Sequence, residues 1–279
     1  MTAQSVHRIP PRDASPLTAA EEARLAWLSE SVLNNRFLPA PPPENVFVGD
    51  GDYRAIGAEF LGHFVRLGGL KPSDRVLDIG CGIGRMAVPL TQYLDSDAVY
   101  EGIDPVGEGI AWCTQTITPV YPNFRFCRLD VAHPLYNPEG PLAGEDVVLP
   151  FSDGSFDFAA MVSVATHLPL GEIAAYMREV ARLLAPGGRL FLTAFIVTPG
   201  DHARDGARPR FERGEAAGTW VADPEAPLGA IGFDSGLVED AVEAMGLRIE
   251  RVSLGHWRGG TDAPHYQDVI VAKSPGVPA

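Results

Sequence analysis

Val76-Leu77-Asp78-Ile79-Gly80-Cys81-Gly82-Ile83-Gly84-Arg85 is the stretch that decides how this chain folds. An apolar run carrying a single acid reads as a buried strand. Glycine then recurs at every second position until a helical pattern begins. Glycine has no Cβ, so the backbone at such a turn can take positive φ and approach a ligand closely. A dinucleotide site of the Gly-x-Gly-x-x-Gly type needs its third glycine where this sequence has Arg85, and Gly84 falls one place early. The pattern is Asp-x-Gly-x-Gly-x-Gly, with the acid inside the strand end. An acid there suits a ligand whose polar end is a cation rather than a pyrophosphate. Taken alone, the same turn could serve packing only, or a nucleotide of another type.

Outward from this turn, short apolar runs alternate with helical spacing, the signature of a mostly parallel sheet wrapped by helices. Strands are expected at 76–80, 99–104, 124–131, 156–164 and 189–197, with two closing strands at LRIERVSL and DVIVAK. Residues 85–94 read as a helix, as do those around Gly109–Thr116. Ile173, Met177, Val180 and Leu184 mark one helix face, closed by Pro186-Gly187-Gly188. Another helix is expected over Ser235–Met245. Upstream, Ile56, Phe60, Leu61, Phe64 and Val65 recur at helical spacing ahead of Gly68-Gly69. Before that come a helical patch at about Leu17 to Leu33 and the stiff, Pro-rich LPAPPPEN. Residues 198–233 are rich in Gly, Pro, Asp and Arg with weak periodicity, long for a connection, which suits a functional cover or a disordered segment.

The composition narrows the function. Of 279 residues, 46% are hydrophobic, enough for a sizeable core and too many for a disordered chain. The formal charge of −14 disfavours phosphate backbones and anionic lipid, so neither nucleic acid nor a membrane is expected as a partner. Cys81, Cys113 and Cys127 form no even framework and no metal-ligand spacing. That usage fits a reducing compartment, and MTAQSVHRIPPRDASP shows no signal-peptide pattern, so a cytoplasmic location is expected.

Four further elements follow the glycine turn in order. Asp104 ends the next strand, twenty-six residues after Asp78, the placement expected of an acid accepting from ribose hydroxyls. Asp130-Val131 closes the third strand, where an acid can accept from an adenine amino group or simply cap a loop. Leu149-Pro150-Phe151-Ser152-Asp153-Gly154-Ser155-Phe156-Asp157 leads into the fourth strand, and Leu184-Ala185-Pro186-Gly187-Gly188-Arg189-Leu190 into the fifth. In this order and spacing the motifs resemble the class I S-adenosylmethionine-dependent methyltransferase family, its small-molecule branch and the type 11-like members in particular. The resemblance covers about residues 70–197 and, more weakly, the closing strands to 273.

That resemblance implies an α/β, Rossmann-like, seven-stranded, mostly parallel sheet with an antiparallel last strand and helices on both faces. By its own composition, the stretch 1–50 reads as an N-terminal helical arm that either frays or folds back as a lid, with 51–279 the methyltransferase domain; 198–233, like 131–148, departs from the family's pattern and reads as a cap inserted between strands five and six. The resemblance implies S-adenosylmethionine as cofactor and S-adenosylhomocysteine as product. Gly80 and Gly82 would line the methionine part, Asp78 would hold its amino group indirectly, and Asp104 would bind the ribose. Asp130 and the backbone of Val131 would face adenine, Ser163 would lie near the methionyl tail, and Tyr53 would close over it. The 131–148 stretch VAHPLYNPEGPLAGEDVV is longer than the family's usual connection.

Methyl transfer needs alignment first, and a base only where the acceptor must lose a proton. His167 follows the fourth strand and is the first base candidate, since a histidine titrates near neutrality. His256, Trp257, His265 and Tyr266 could line the same pocket, while His133 and His202 fall in insertions and are expected at solvated rims. No metal is expected. The expected activity is methylation of a small organic acceptor, at a hydroxyl oxygen and in secondary metabolism. Carbon or nitrogen methylation and a non-catalytic cofactor-binding protein are the alternatives.

Overall fold

The computed structural model describes residues 16–275 other than 48, 50, 202–204 and 261–262. The strands at 248–253, 268–273, 184–194, 156–161, 76–79, 100–104 and 124–128 lie in that order in one seven-stranded mixed sheet. The described residues fall into two compact units. One takes those within Asp13–Pro141 and Ser155–Ala160, the other those within Leu142–Gly154 and Met161–Ala279.

The first unit opens with α1 (Ala19–Asn34). Thr18 and Glu21 cap it reciprocally, side chain to backbone in both directions. Its buried Leu25, Leu28 and Val32 share one face. The next helix, α2 (Tyr53–Arg66), starts on Asp52, whose carboxylate accepts from Ala55 N at 2.7 Å. Arg54 of α2 donates to the carbonyls of Val32, Asn35 and Leu38 at the end of α1. Arg66 pairs with Glu22, Nη2 to Oε2 at 2.9 Å. From residue 16 to Leu38, therefore, the arm is docked rather than fraying, while residues 1–15 lie outside the described part.

Strands β1 (Val76–Ile79), β2 (Tyr100–Asp104) and β3 (Phe124–Arg128) pair in parallel, with Asp78 opposite Gly102 and Asp104 opposite Arg128. The helix read over 85–94 is only α3 (Ala87–Leu90), flanked by turns. Pro89 has no N–H to give Arg85 O, and beyond Thr91 the chain tightens to i→i−3 bonds, Gln92 N to Pro89 O and Tyr93 N to Leu90 O, each at 3.1 Å. Then α4 (Gly107–Thr116) connects β2 to β3. In β4 (Phe156–Met161), Asp157 accepts from the Nε, Nη2 and backbone N of Arg75, which joins the strand to the chain entering β1.

In the second unit, α5 (Leu170–Leu183) buries Ile173, Met177 and Val180. Arg182 donates to the carbonyls of Leu149 and Phe151 and to Asp153, clamping the turn that the sequence motif marks. The helix ends at Leu183, and Pro186-Gly187-Gly188 already belong to β5 (Leu184–Ala194). Strand β11 (Asp268–Lys273) runs antiparallel both to β5 and to β10 (Arg248–Ser253), preceded by α6 (Leu237–Ala244).

The stretch 189–197, read as one strand, breaks at Phe195. Ile196 N donates to Asp268 Oδ2 at 2.6 Å, and β6 (Ile196–Val197) pairs elsewhere, with β9 (Ile231–Asp234). Residues 198–233 are not a bare cover. They supply β7 (Glu212–Arg213), β8 (Thr219–Val221) and most of β9, in a second sheet of order β6-β9-β8-β7. Its apolar cluster joins Phe211 and Trp220 to Phe195, Val197 and Trp257. Strands this short leave no readable alternation, and three of those five residues come from outside the stretch.

Candidate active site

In the first unit the glycine turn is held by β2. Gly80 N and Cys81 N both donate to Ile103 O, at 2.8 and 3.1 Å, and Gly84 N closes on Cys81 O at 2.9 Å. Gly80, Gly82 and Gly84 all have left-handed φ, of 75°, 56° and 76°, which a side chain would strain. A Cβ on Gly109 of α4 would stand 2.7 Å from Gly82 O and 3.0 Å from the Phe47 ring, so the turn and the arm both come close to this helix.

The acids lie directly beneath. Asp104 accepts from Gly82 N through Oδ2 and from Val106 N through Oδ1, each at 2.8 Å. Asp78 accepts from Tyr100 Oη at 2.5 Å. Burial pushes Asp78 up to about 7 and Asp104 up to about 6. Neither forms an ion pair with a described residue. Two desolvated carboxyl groups without a cation repel a pyrophosphate and favour a ligand bearing an ammonium or sulfonium and hydroxyl donors. The residues therefore fit S-adenosylmethionine. Tyr53, at the start of α2, donates its hydroxyl to Ile83 O at 2.9 Å and so leans on the same turn.

Asp130 is half-exposed, pairs with Arg128 at 3.0 Å and accepts from Asn137 Nδ2 at 2.9 Å through the same oxygen. The Val131 N–H is turned to Leu129 O, and Val131 O accepts from Asn137 Nδ2. The long connection thus packs back on the segment read as facing adenine. His133 within it is 5% exposed, not on a solvated rim: its backbone pairs with Asn137 and its Nδ1 accepts from Leu135 N.

In the second unit Ser163, two residues past β4, holds φ at 58°, the one left-handed non-glycine among the described residues. Its N–H donates to Thr193 Oγ1 at 2.8 Å and its hydroxyl to Gln267 Oε1 at 3.0 Å. His167 ends a single 3-10 turn (Ala165–His167), and its Nδ1 lies 2.9 Å from Leu228 O. A carbonyl only accepts, so Nδ1 carries the proton and the basic lone pair is on Nε2.

The other aromatic candidates separate clearly. His265 is 1% exposed, with Nδ1 on Gln267 O and Nε2 on Ser253 Oγ, so both nitrogens serve the wall. Trp257 is buried and donates to Asp268 Oδ2 at 2.9 Å. Beside it Arg258 joins Asp268 at 2.7 Å and Asp201 at 3.2 Å. His256 is exposed, and Tyr266 Oη donates to Arg208 O. His202 lies outside the described residues. Sequence reading missed Leu228, Thr193 and Gln267, since a backbone carbonyl and two uncharged polar residues carry no motif. Among the described residues no three His, Cys, Asp or Glu side chains are grouped to hold a metal ion.

A model of the methyltransferase domain family matches residues 53–225, from the first residue of α2 into the second sheet. The chain belongs to that family of S-adenosylmethionine-dependent methyltransferases. Relatives of this methyltransferase domain act on varied compounds. A sterol 24-C-methyltransferase of Schizosaccharomyces pombe is 28% identical over 43% of this chain and 27% of its own. A chloroplastic tocopherol O-methyltransferase of Arabidopsis thaliana is 27% identical over 55% and 41%. The 27-O-demethylrifamycin SV methyltransferase of Amycolatopsis mediterranei is 30% identical over 48% and 44%. The chain spans less than half the length of each. A solved S-adenosylmethionine-dependent methyltransferase from Methanosarcina mazei is 25% identical at a TM-score of 0.50, covering 75% of this chain and 95% of that one. A Pyrococcus horikoshii OT3 protein shares the fold at a TM-score of 0.57 and 16% identity, covering 84% and 96%.

Proposed function

We propose that this methyltransferase methylates a small organic acceptor at a hydroxyl oxygen, with His167 as general base. S-adenosylmethionine, when bound, supplies a methyl group activated on a sulfonium. On this reading Asp104 accepts from the ribose hydroxyls, Gly80 and Gly82 give room for the methionine part, and Asp78 acts on its ammonium indirectly. Asp130 and Val131 border adenine. Ser163 borders the methionyl tail through its backbone, its hydroxyl being given to Gln267. Tyr53 covers the turn, and Phe47 packs close to Gly109 of α4 beside it, which supports residues 1–50 as a lid. The Leu228–His167 bond supports 198–233 as a cap on the acceptor side. Sterol, tocopherol and rifamycin substrates in the relatives' names support a small, largely apolar acceptor, and we place it in secondary metabolism. Three free cysteines support a cytoplasmic location.

One observation carries the choice of base. The Leu228 carbonyl fixes the tautomer of His167, so Nε2 is the atom that takes the acceptor's proton. A positioned base contributes about 10²–10⁴-fold. Turnover of a hydroxylated acceptor by His167→Ala should fall by that order, while S-adenosylhomocysteine affinity stays within about twofold. Retention of most turnover from about pH 6 to 8 would reduce His167 to a wall residue and favour carbon or nitrogen as the methylated atom.

A further inference from the structure

Ser163, Thr193 and Gln267 form a polar relay that the assignments above leave without a purpose. Thr193, at the carboxyl end of β5, is fully buried; Gln267 immediately precedes the antiparallel β11 and is half-buried. The carboxyl ends of strands are where α/β sheets receive ligands. Thr193 Oγ1 accepts from Ser163 N at 2.8 Å and donates to Gln267 Oε1 at 2.6 Å. Ser163 Oγ donates to the same Oε1 at 3.0 Å.

The direction of these bonds orients the amide of Gln267. Turning it over would take the acceptor from the buried Thr193 hydroxyl, which would then lack a partner for its proton. The amide oxygen is therefore held inward by two hydroxyls, and Nε2 points away from them. That nitrogen, with two donor hydrogens, makes no hydrogen bond to a described residue. Ser163 strengthens the point. Glycine would take its left-handed φ without strain, yet serine stands there, and its hydroxyl is one of the two that fix Gln267.

We infer, resting on the methyl-transfer reading above, that Gln267 determines acceptor specificity by donating from Nε2 to a neutral carbonyl oxygen of the acceptor. A carboxylate or phosphate on the ligand would call for an arginine or lysine. An uncharged donor pair held rigidly suits a ketone, aldehyde or quinone oxygen, and the acceptor class is a hydroxylated carbonyl compound. Pre-orientation by two hydroxyls removes the rotamer freedom that would otherwise weaken such a contact.

The test uses protein saturated with S-adenosylhomocysteine and two matched pairs of probes, 3- and 4-hydroxyacetophenone beside 3- and 4-ethylphenol. By calorimetry the wild type should bind at least one hydroxyacetophenone about tenfold more tightly than its ethylphenol, the scale of one well-placed hydrogen bond. Gln267→Glu keeps an oxygen for Ser163 and Thr193 and replaces only the outward donor. Its preference should vanish, to within about twofold, with S-adenosylhomocysteine affinity unchanged. Gln267→Met, uncharged, should lose the preference too. Equal binding of both probes by the wild type, a preference that survives in Gln267→Glu, or a parallel loss of S-adenosylhomocysteine binding would each overturn the assignment. A wild-type protein that fails to bind S-adenosylhomocysteine would instead defeat the methyltransferase reading itself, and this inference with it.

Discussion

The molecule buries two pairs of acids and treats them in opposite ways. In the second unit Asp201 and Asp268 are 0% exposed and share Arg258, and burial pushes Asp268 up while the guanidinium beside it pulls it down. In the first, Asp78 and Asp104 are nearly as buried, but among the described residues they accept only from a tyrosine hydroxyl and two backbone N–H groups. A buried carboxylate that carries its own cation is complete in the folded chain, and its work is to hold strands together. One that has only neutral donors lacks that internal partner. The difference separates acids that carry their own cation from acids that do not, without reference to any motif.

The sharpest way to break this distinction is to remove the cation. Arg258→Met leaves two buried acids without their partner and should destabilise the protein by about 3–5 kcal/mol, read by urea unfolding. A loss under ~1 kcal/mol would show that the clasp is not what holds the second sheet to β11.

Next in size is a pH effect confined to the first pair. Asp78 titrates at about 7 in the fold and at 3.8 when unperturbed. The native state binds that proton more tightly, so the contribution to stability is full below pH 4 and is lost as pH rises through about 7. Relative to Asp78→Asn, the wild type should lose on the order of 2–4 kcal/mol of unfolding free energy between pH 4 and 8. Parallel profiles for the two proteins would mean that Asp78 is solvated or paired in solution.

Asp104→Ala probes the ligand side of the same pair. Calorimetry should show S-adenosylhomocysteine binding weakened by about 1–3 kcal/mol, the scale of lost charge-assisted hydrogen bonds. Unchanged affinity would take Asp104 out of the ribose site. The smallest effect belongs to Tyr53→Phe, which removes one bond to Ile83 O and should cost about 0.5–1.5 kcal/mol of stability. If that variant lost more than tenfold in cofactor affinity instead, the hydroxyl would be touching the ligand rather than bracing the turn.

Several elements were legible from residues alone because their signals are local. The glycine turn announces itself through three residues with no Cβ, and α1 shows as a helical patch at about Leu17 to Leu33. The acids at 78 and 104 are found by counting along strands. The chain misleads where the deciding partner is distant. Pro89 shortened α3 against an apolar pattern that looked helical. Asp153 and Asp157, motif residues in the sequence, prove to be partners of Arg182 and Arg75. His133 sits in a polar insertion yet is buried against its own hairpin.

What the sequence by itself determined was the succession of strands and helices in the main sheet, the glycine turn and the family, since periodicity, backbone permissiveness and acid placement all act over a few residues. Only the tertiary structure decided which partner each polar group has. Whether Asp268 is a site or a clasp depends on Arg258, ten residues away, and on Asp201, much further. Which nitrogen of His167 carries the proton depends on a carbonyl at Leu228, and which way the Gln267 amide faces depends on hydroxyls at Ser163 and Thr193. Hydrogen-bond capacity is a property of what surrounds a group, and those surroundings are assembled by folding.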